Sequence, residues 1–253
     1  RAMGYQNVDF LVPNRFDFGY GLSVPIVDEA AKQGAEVIVT VDNGISCIDG
    51  VTHAKSLGMQ VVVTDHHLPG DVLPPADAIV NPNQPGCEFP SKNLAGVGVA
   101  FYIMLALKAE LQQQGHFERA GLAPPNLASL LDIVAVGTVA DVVVLDKNNR
   151  ILVHQGLQRI RAGKCRPGIK ALVEVANRDC AHLTSTDLGF VVGPRLNAAG
   201  RLDDMSQGIA CLLEDETIQA RMIAAELDAL NKERREIETG MKAQAESVLE
   251  QMA

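Results

Sequence analysis

Two short β-branched runs restrict this chain more than any other feature. Val37-Ile38-Val39-Thr40-Val41 leads into Asp42-Asn43-Gly44, and Val61-Val62-Val63-Thr64 leads into Asp65-His66-His67. Uncharged Val/Ile runs of this length read as strands buried on both faces, as in a parallel sheet. In open parallel sheets the working site lies beyond the carboxyl ends of the strands. Asp42 and the Asp65-His66-His67 triplet are therefore expected to meet at one sheet edge.

The flanking segments support that layout. Val8 to Val12 reads as a strand, followed by a turn-rich loop from Pro13 to Gly21. Leu22 to Gln33 has helical spacing and stops at Gly34; Glu36 to Val41 is the next strand. Ser46 to Leu57 is a second helix closed by Gly58, before strand Gln60 to Thr64 and a short strand Ala76 to Val80. This alternation predicts right-handed βαβ units and an α/β fold with helices on both faces of a parallel sheet. Ala95-Gly96-Val97-Gly98 is small enough for close backbone approach and opens a helix running to Gln114. A mostly apolar helix, Leu127 to Val139, delivers Asp141 near its end. From about Asp146 the chain turns helical and mixed in charge. In Met222 to Met252 the residues Ile223, Leu227, Leu230, Ile237, Met241 and Val248 form one narrow apolar stripe, which needs a partner. The expected organisation is an α/β domain over 1–145, a helical basic region over 146–215 and a connecting helix over 216–253.

Composition sets limits on function. With 47% apolar residues a sizeable core is possible, and with 4% aromatics and no Trp it must be built from Val, Leu, Ile and Ala. No apolar run reaches the roughly 18 residues of a membrane span, and no signal peptide is visible. Five scattered cysteines, never as C-x-x-C, favour reduced thiols and a cytoplasmic setting over disulfides or a zinc site. The net charge of −9 argues against a nucleic-acid partner until its distribution is read. From Lys147 to Val173 lie Lys147, Arg150, Arg159, Arg161, Lys164, Arg166 and Lys170, with no acidic residue among them.

Hard divalent ions such as Mn²⁺ and Mg²⁺ take carboxylate oxygens, and Mn²⁺ also accepts imidazole. Asp42, His66 and Asp141 are donors of those types. A single Asp after a strand is more often a helix cap. Adjacent histidines directly after Asp, opposite a second Asp, point instead to a metal rim.

Four segments carry a family resemblance: Val41-Asp42-Asn43-Gly44-Ile45-Ser46, Thr64-Asp65-His66-His67, Gly137-Thr138-Val139-Ala140-Asp141-Val142, and Gly193-Pro194-Arg195-Leu196-Asn197-Ala198-Ala199-Gly200-Arg201. Together they resemble the DHH phosphoesterase superfamily and, within it, the bacterial single-strand-specific DNA exonucleases. The resemblance implies that Asp42 bridges two Mn²⁺ or Mg²⁺ ions, with His66 and Asp141 as further ligands. It implies His67 beside the scissile phosphate and Asp65 orienting the pair. Arg195, Asn197 and Arg201 are implied to hold DNA phosphates, and the basic stretch to track a single strand. The implied activity is 5′→3′ digestion of single-stranded DNA in repair and recombination. A single-strand-binding protein and a helicase are the implied partners of a monomeric enzyme without a membrane association.

The sequence departs from that pattern in two ways. No Asp-x-Asp-x-Asp-Gly run precedes Val8; the early acids are Asp9, Asp17, Asp28 and Glu29. The family's C-terminal substrate-binding domain, with its Gly-Gly-His run, has no counterpart either. The chain is thus expected to be a fragment with a half-built metal site and little activity alone. Two alternatives stay open: a relative acting on small phosphate substrates, and a non-catalytic replication scaffold.

Overall fold

The computed structural model describes residues 1–12, 19–202 and 205–252, and the side chains of these except 199, 201, 202 and 246–252. The chain forms two compact units, Arg1–Gly156 and Leu157–Ala253.

The first unit is built on a parallel sheet of β1 (Val37–Val41), β2 (Gln60–Thr64) and β3 (Ala78–Val80), in that spatial order. Helices α1 (Val24–Lys32) and α2 (Ile48–Ser56) alternate with the first two strands. Register fixes the site. Val41 lies opposite Thr64, and Thr64 opposite Val80. The ladder continues one residue further, with Asp42 N–H on Thr64 O at 3.0 Å and Asp65 N–H on Val80 O at 3.1 Å. Asp42, Asp65 and Asn81 therefore stand in one row across the carboxyl end of the sheet.

Leu22, Ile26, Val27, Val51, Ala54, Val61 and Val63 form the core under one sheet face. β2 meets the expectation of a buried strand. β1 does not, because Val37, Val39 and Val41 are exposed. Alternate side chains leave opposite faces of a strand, and no described residue covers that face at β1. Val8 to Val12, expected as a strand, joins no ladder. Its side chains Val8, Phe10 and Leu11 are exposed, and Val8 pairs only locally, with Gln6 and the Arg1 side chain. Most of the loop expected over 13–21 lies outside the described residues.

Beyond the sheet, α3 (Gly96–Gln113) packs against β1 and β2, followed by the short α4 (His116–Ala120). The apolar run expected as one helix is a 3₁₀ turn, Leu127–Leu130, continuing into α5 (Leu131–Ala140), with Asp141 as its C-cap. Then comes α6 (Lys147–Arg161). Met3, Leu94, Val99, Phe101, Phe117, Val134 and Leu152 form a second core beneath these helices.

The second unit contains α7 (Pro167–Val175), a π-helical turn Leu188–Val192, α8 (Gly193–Leu202), α9 (Ser206–Leu213) and the 36-residue α10 (Thr217–Met252). Ala220, Ala224, Leu227, Asp228 and Asn231 of α10 are buried against α7, α8 and α9. Among the described side chains, the apolar stripe is buried there. Ile237 and Met241, further along, are exposed.

Candidate metal centre

The row at the sheet edge carries different burdens at each position. Asp42 takes a left-handed backbone, φ 62°, which Asp tolerates better than most side chains. Thr40 and Asn43 support it: Thr40 Oγ1 donates to Asn43 O at 2.7 Å, and Asn43 Nδ2 donates to Val41 O at 2.9 Å. Gly96, at the start of α3, presses on the same side chain; a Cβ there would stand 2.3 Å from Asp42 Oδ1. Only glycine permits that approach.

Asp65 is buried, and its carboxylate organises the turn. Oδ2 accepts from Ile45 N–H at 2.9 Å. Oδ1 accepts from His66 N–H at 2.7 Å, His67 N–H at 3.2 Å and His67 Nδ1 at 2.7 Å. Burial works to raise the Asp65 pKa, but these hydrogen bonds outweigh it and the net shift is downward. With Nδ1 tied to Asp65, His67 has Nε2 as its remaining ring nitrogen.

His66 Nε2 lies 3.0 Å from Asp42 Oδ1 and 3.3 Å from Asp141 Oδ2. The ligand atoms of Asp42, His66 and His67 all lie within 4.8 Å of one another. His66 Nε2 and Asp141 Oδ2 are buried yet have no hydrogen-bond partner of good geometry. The Asp42 carboxylate raises the His66 pKa, burial opposes this, and the Asp141 and Asp65 charges add to the rise. Burial raises the Asp141 pKa, and the Asp42 carboxylate adds to it against the lowering effect of both histidines. Carboxylate and imidazole donors thus cluster at the sheet edge, with His66 Nε2 facing two carboxylates and Asp141 Oδ2 buried without a hydrogen bond. A hard divalent cation fits that donor set.

The sequence reading missed the second layer. Asn81 Nδ2 donates to His67 O at 2.9 Å, and Asn83 Nδ2 donates to His66 O at 2.6 Å. Lys92 Nζ donates to Pro82 O at 2.6 Å, holding that loop. Asn81-Pro82-Asn83 had only the look of a strand end. Two polar side chains directly after a buried strand were the available signal.

The arginine segment lies in the second unit. Arg195 is buried rather than displayed. Its Nε and Nη2 meet Asp228 Oδ1 at 2.9 and 2.8 Å, and Nη1 donates to Val191 O at 2.8 Å. Lys232 completes the cluster, 2.8 Å from Asp228 Oδ2. Asn197 is exposed. The side chain of Arg201 lies outside the described residues.

Known proteins resemble this chain over most of its length. A model of the DHH family, N-terminal domain, matches residues 1–138. The chain is 66% identical over 245 residues to the single-stranded-DNA-specific exonuclease RecJ of Salmonella typhimurium, covering 97% of this chain and 42% of that protein. It is 34% identical to the protein of the same name from Thermus thermophilus, over 91% of this chain and 32% of that one. Among solved structures, an exonuclease RecJ bound to manganese superposes with a TM-score of 0.78 at 34% identity, over 92% of this chain and 56% of that one. A Thermus thermophilus RecJ in complex with Mn²⁺ superposes at 0.72, also at 34% identity, over 87% and 31%. The chain spans less than half the length of these curated relatives.

Proposed function

This chain belongs to the DHH family, and on that premise we propose that it is the metal-binding portion of a 5′→3′ exonuclease acting on single-stranded DNA. The observation that carries the reading is the grouping of Asp42, His66 and His67 ligand atoms within 4.8 Å of one another, with Asp141 Oδ2 buried 3.3 Å from His66 Nε2. The activity of the relatives and the manganese in the superposed structure support it.

Asp42, His66 and Asp141 would hold Mn²⁺ or Mg²⁺ there. A bound ion supplies charge neutralisation at the phosphate and a water of lowered pKa. Asp65 fixes the tautomer and orientation of His67 through Nδ1. His67, half exposed, then presents its other nitrogen toward a phosphate entering beside the ligands. Within the arginine segment, Asn197 is proposed as the phosphate contact that is already exposed, with Arg201 a further contact. Arg195 reaches a phosphate only if its pairing with Asp228 opens. A monomer in the cytoplasm, working with a single-strand-binding protein and a helicase, completes the proposal. Its support is the substrate of the relatives. No helix among the described residues is long and apolar enough to cross a membrane.

The test uses 3′-labelled single-stranded and duplex DNA with Mn²⁺, Mg²⁺ or chelator. The 253-residue chain is assayed beside a version extended to the length of the relatives. Metal-dependent mononucleotide release from the single strand by the extended protein, lost in His66→Ala, is the expected result. Release that survives chelation or His66→Ala would overturn the reading. Equal release by both proteins would show that the 253-residue chain is a complete catalyst, against expectation.

A further inference from the structure

The ligands of the metal centre come from three separate turns of the first unit. Asp42 follows β1, His66 follows β2 and Asp141 caps α5. One short segment, residues 91–96, is tied to all three turns. Ser91, Leu94, Ala95 and Gly96 in it are buried, and Leu94 packs in the core with Val134 of α5 and Leu152 of α6. The segment therefore has a fixed seat from which to hold its neighbours.

Its tie to the His66 turn runs through Asn83. Asn83 Nδ2 donates to His66 O at 2.6 Å and to Lys92 O at 3.1 Å, so one amide joins the two main chains. Lys92 Nζ closes the loop between them by donating to Cys87 O at 2.6 Å as well as to Pro82 O.

The tie to the Asp141 turn runs through the start of α6. Ser91 Oγ donates to Asp146 Oδ2 at 2.7 Å, and Asp146 Oδ1 accepts from Asn149 N–H at 3.0 Å. Asn149 is fully buried and donates from Nδ2 to Asn93 O at 2.6 Å and Val144 O at 2.9 Å. Residues 142–145 are thus fastened to Ser91 and Asn93 at their far end. The fastening matters because Val142, directly after Asp141, sits at φ 61°, a costly backbone for a β-branched side chain. Such a conformation persists only where its surroundings over-determine it. The third tie is steric: Gly96 abuts the Asp42 side chain, as described above.

We infer that residues 91–96 are a positioning clamp for the metal centre, with Ser91 and Asn83 as its polar arms. The clamp holds the His66 and Asp141 turns so that Nε2 and Oδ2 stand 3.3 Å apart, and that spacing sets the affinity for the ion. Ser91, Asn83 and Asp146 act through the ligands and are positioning residues. The inference rests on the proposed function and adds what keeps the ligands at their spacing.

The test is calorimetry of Mn²⁺ binding to the 253-residue chain, beside urea unfolding of the same variants in chelator. Ser91→Ala is expected to weaken Mn²⁺ binding about tenfold, the lower end for loss of a group that orients metal ligands. Asn83→Ala should do the same. The double variant should fall short of the product of the two single effects, because both release one clamp. Asp146→Asn keeps groups able to pair with Ser91 Oγ and Asn149 N–H, and should retain most of the affinity. The control Asn126→Ala removes the cap of the 3₁₀ turn before α5, and should lower the unfolding midpoint while leaving Mn²⁺ affinity unchanged. Unchanged affinity in Ser91→Ala, or an equal fall in the control, sinks the clamp while leaving the metal reading intact. No Mn²⁺ binding by the unsubstituted chain would overturn both.

Discussion

Two charged clusters in this molecule look alike in sequence and are opposite in structure. At the sheet edge, His66 Nε2 and Asp141 Oδ2 are buried without a hydrogen bond of good geometry, although Asp42 Oδ1 lies 3.0 Å from the imidazole, and the pKa of each group is raised. In the second unit, Arg195 and Asp228 are also buried, but their atoms answer one another, with Lys232 and Val191 O closing the remaining positions. For Asp228 burial works to raise the pKa, and the bonds from Lys232 and Arg195 overcome it. Buried charge is costly unless it is paired. A closed cluster is a structural joint, while an open one stays unsatisfied until something binds.

The largest effect expected from that difference is on stability. Arg195→Ala leaves Asp228 buried with only Lys232 beside it and should cost about 3–5 kcal/mol in urea unfolding. Replacing both by apolar residues of similar volume should recover most of it. Retained stability with lost DNA binding in Arg195→Ala would mean the pair is a ligand site after all. At the open cluster the effect on stability is smaller. His66→Ala should abolish Mn²⁺ binding in calorimetry, while unfolding in chelator changes far less than in Arg195→Ala, because the imidazole holds no hydrogen bond of good geometry.

A smaller effect is expected of Gly96→Ala. The added Cβ meets Asp42 Oδ1 and must displace it, so Mn²⁺ affinity should fall about tenfold with the fold retained. The smallest effect lies in the pH response of the closed cluster. The Asp228 pKa is depressed in the folded state, so its contribution is present above the ordinary carboxylate pKa of about 4 and is lost as pH falls through the folded value. Asp228→Asn should therefore flatten the acid limb of the stability curve measured between pH 5 and 3; an unaltered limb would show that the pair adds nothing there.

The legible part of the fold was local. Val37 to Val41 and Gln60 to Thr64 announced themselves through β-branching, and their helices through spacing and the stop at Gly34 and Gly58. A parallel register then left little choice but to bring Asp42 beside Asp65. Val8 to Val12 is also largely apolar yet joins no ladder among the described residues, because a strand exists only with a neighbour. Val39 and Val41 read as buried for the same reason. Asp228 passed unnoticed on a charged helix; its partner Arg195 lies 33 residues earlier. Asn81 and Asn83 looked like turn residues until the backbone of His66 and His67 was placed against them.

By itself, then, the sequence determined which chemistry this protein can hold: carboxylates and imidazoles at the ends of two strands, whose side-chain period and buried pairing set the row. Only the tertiary structure decided which charges are open and which are closed. That property belongs to contacts between residues distant in the chain, and burial, which makes an unpaired donor costly, is conferred by the whole fold.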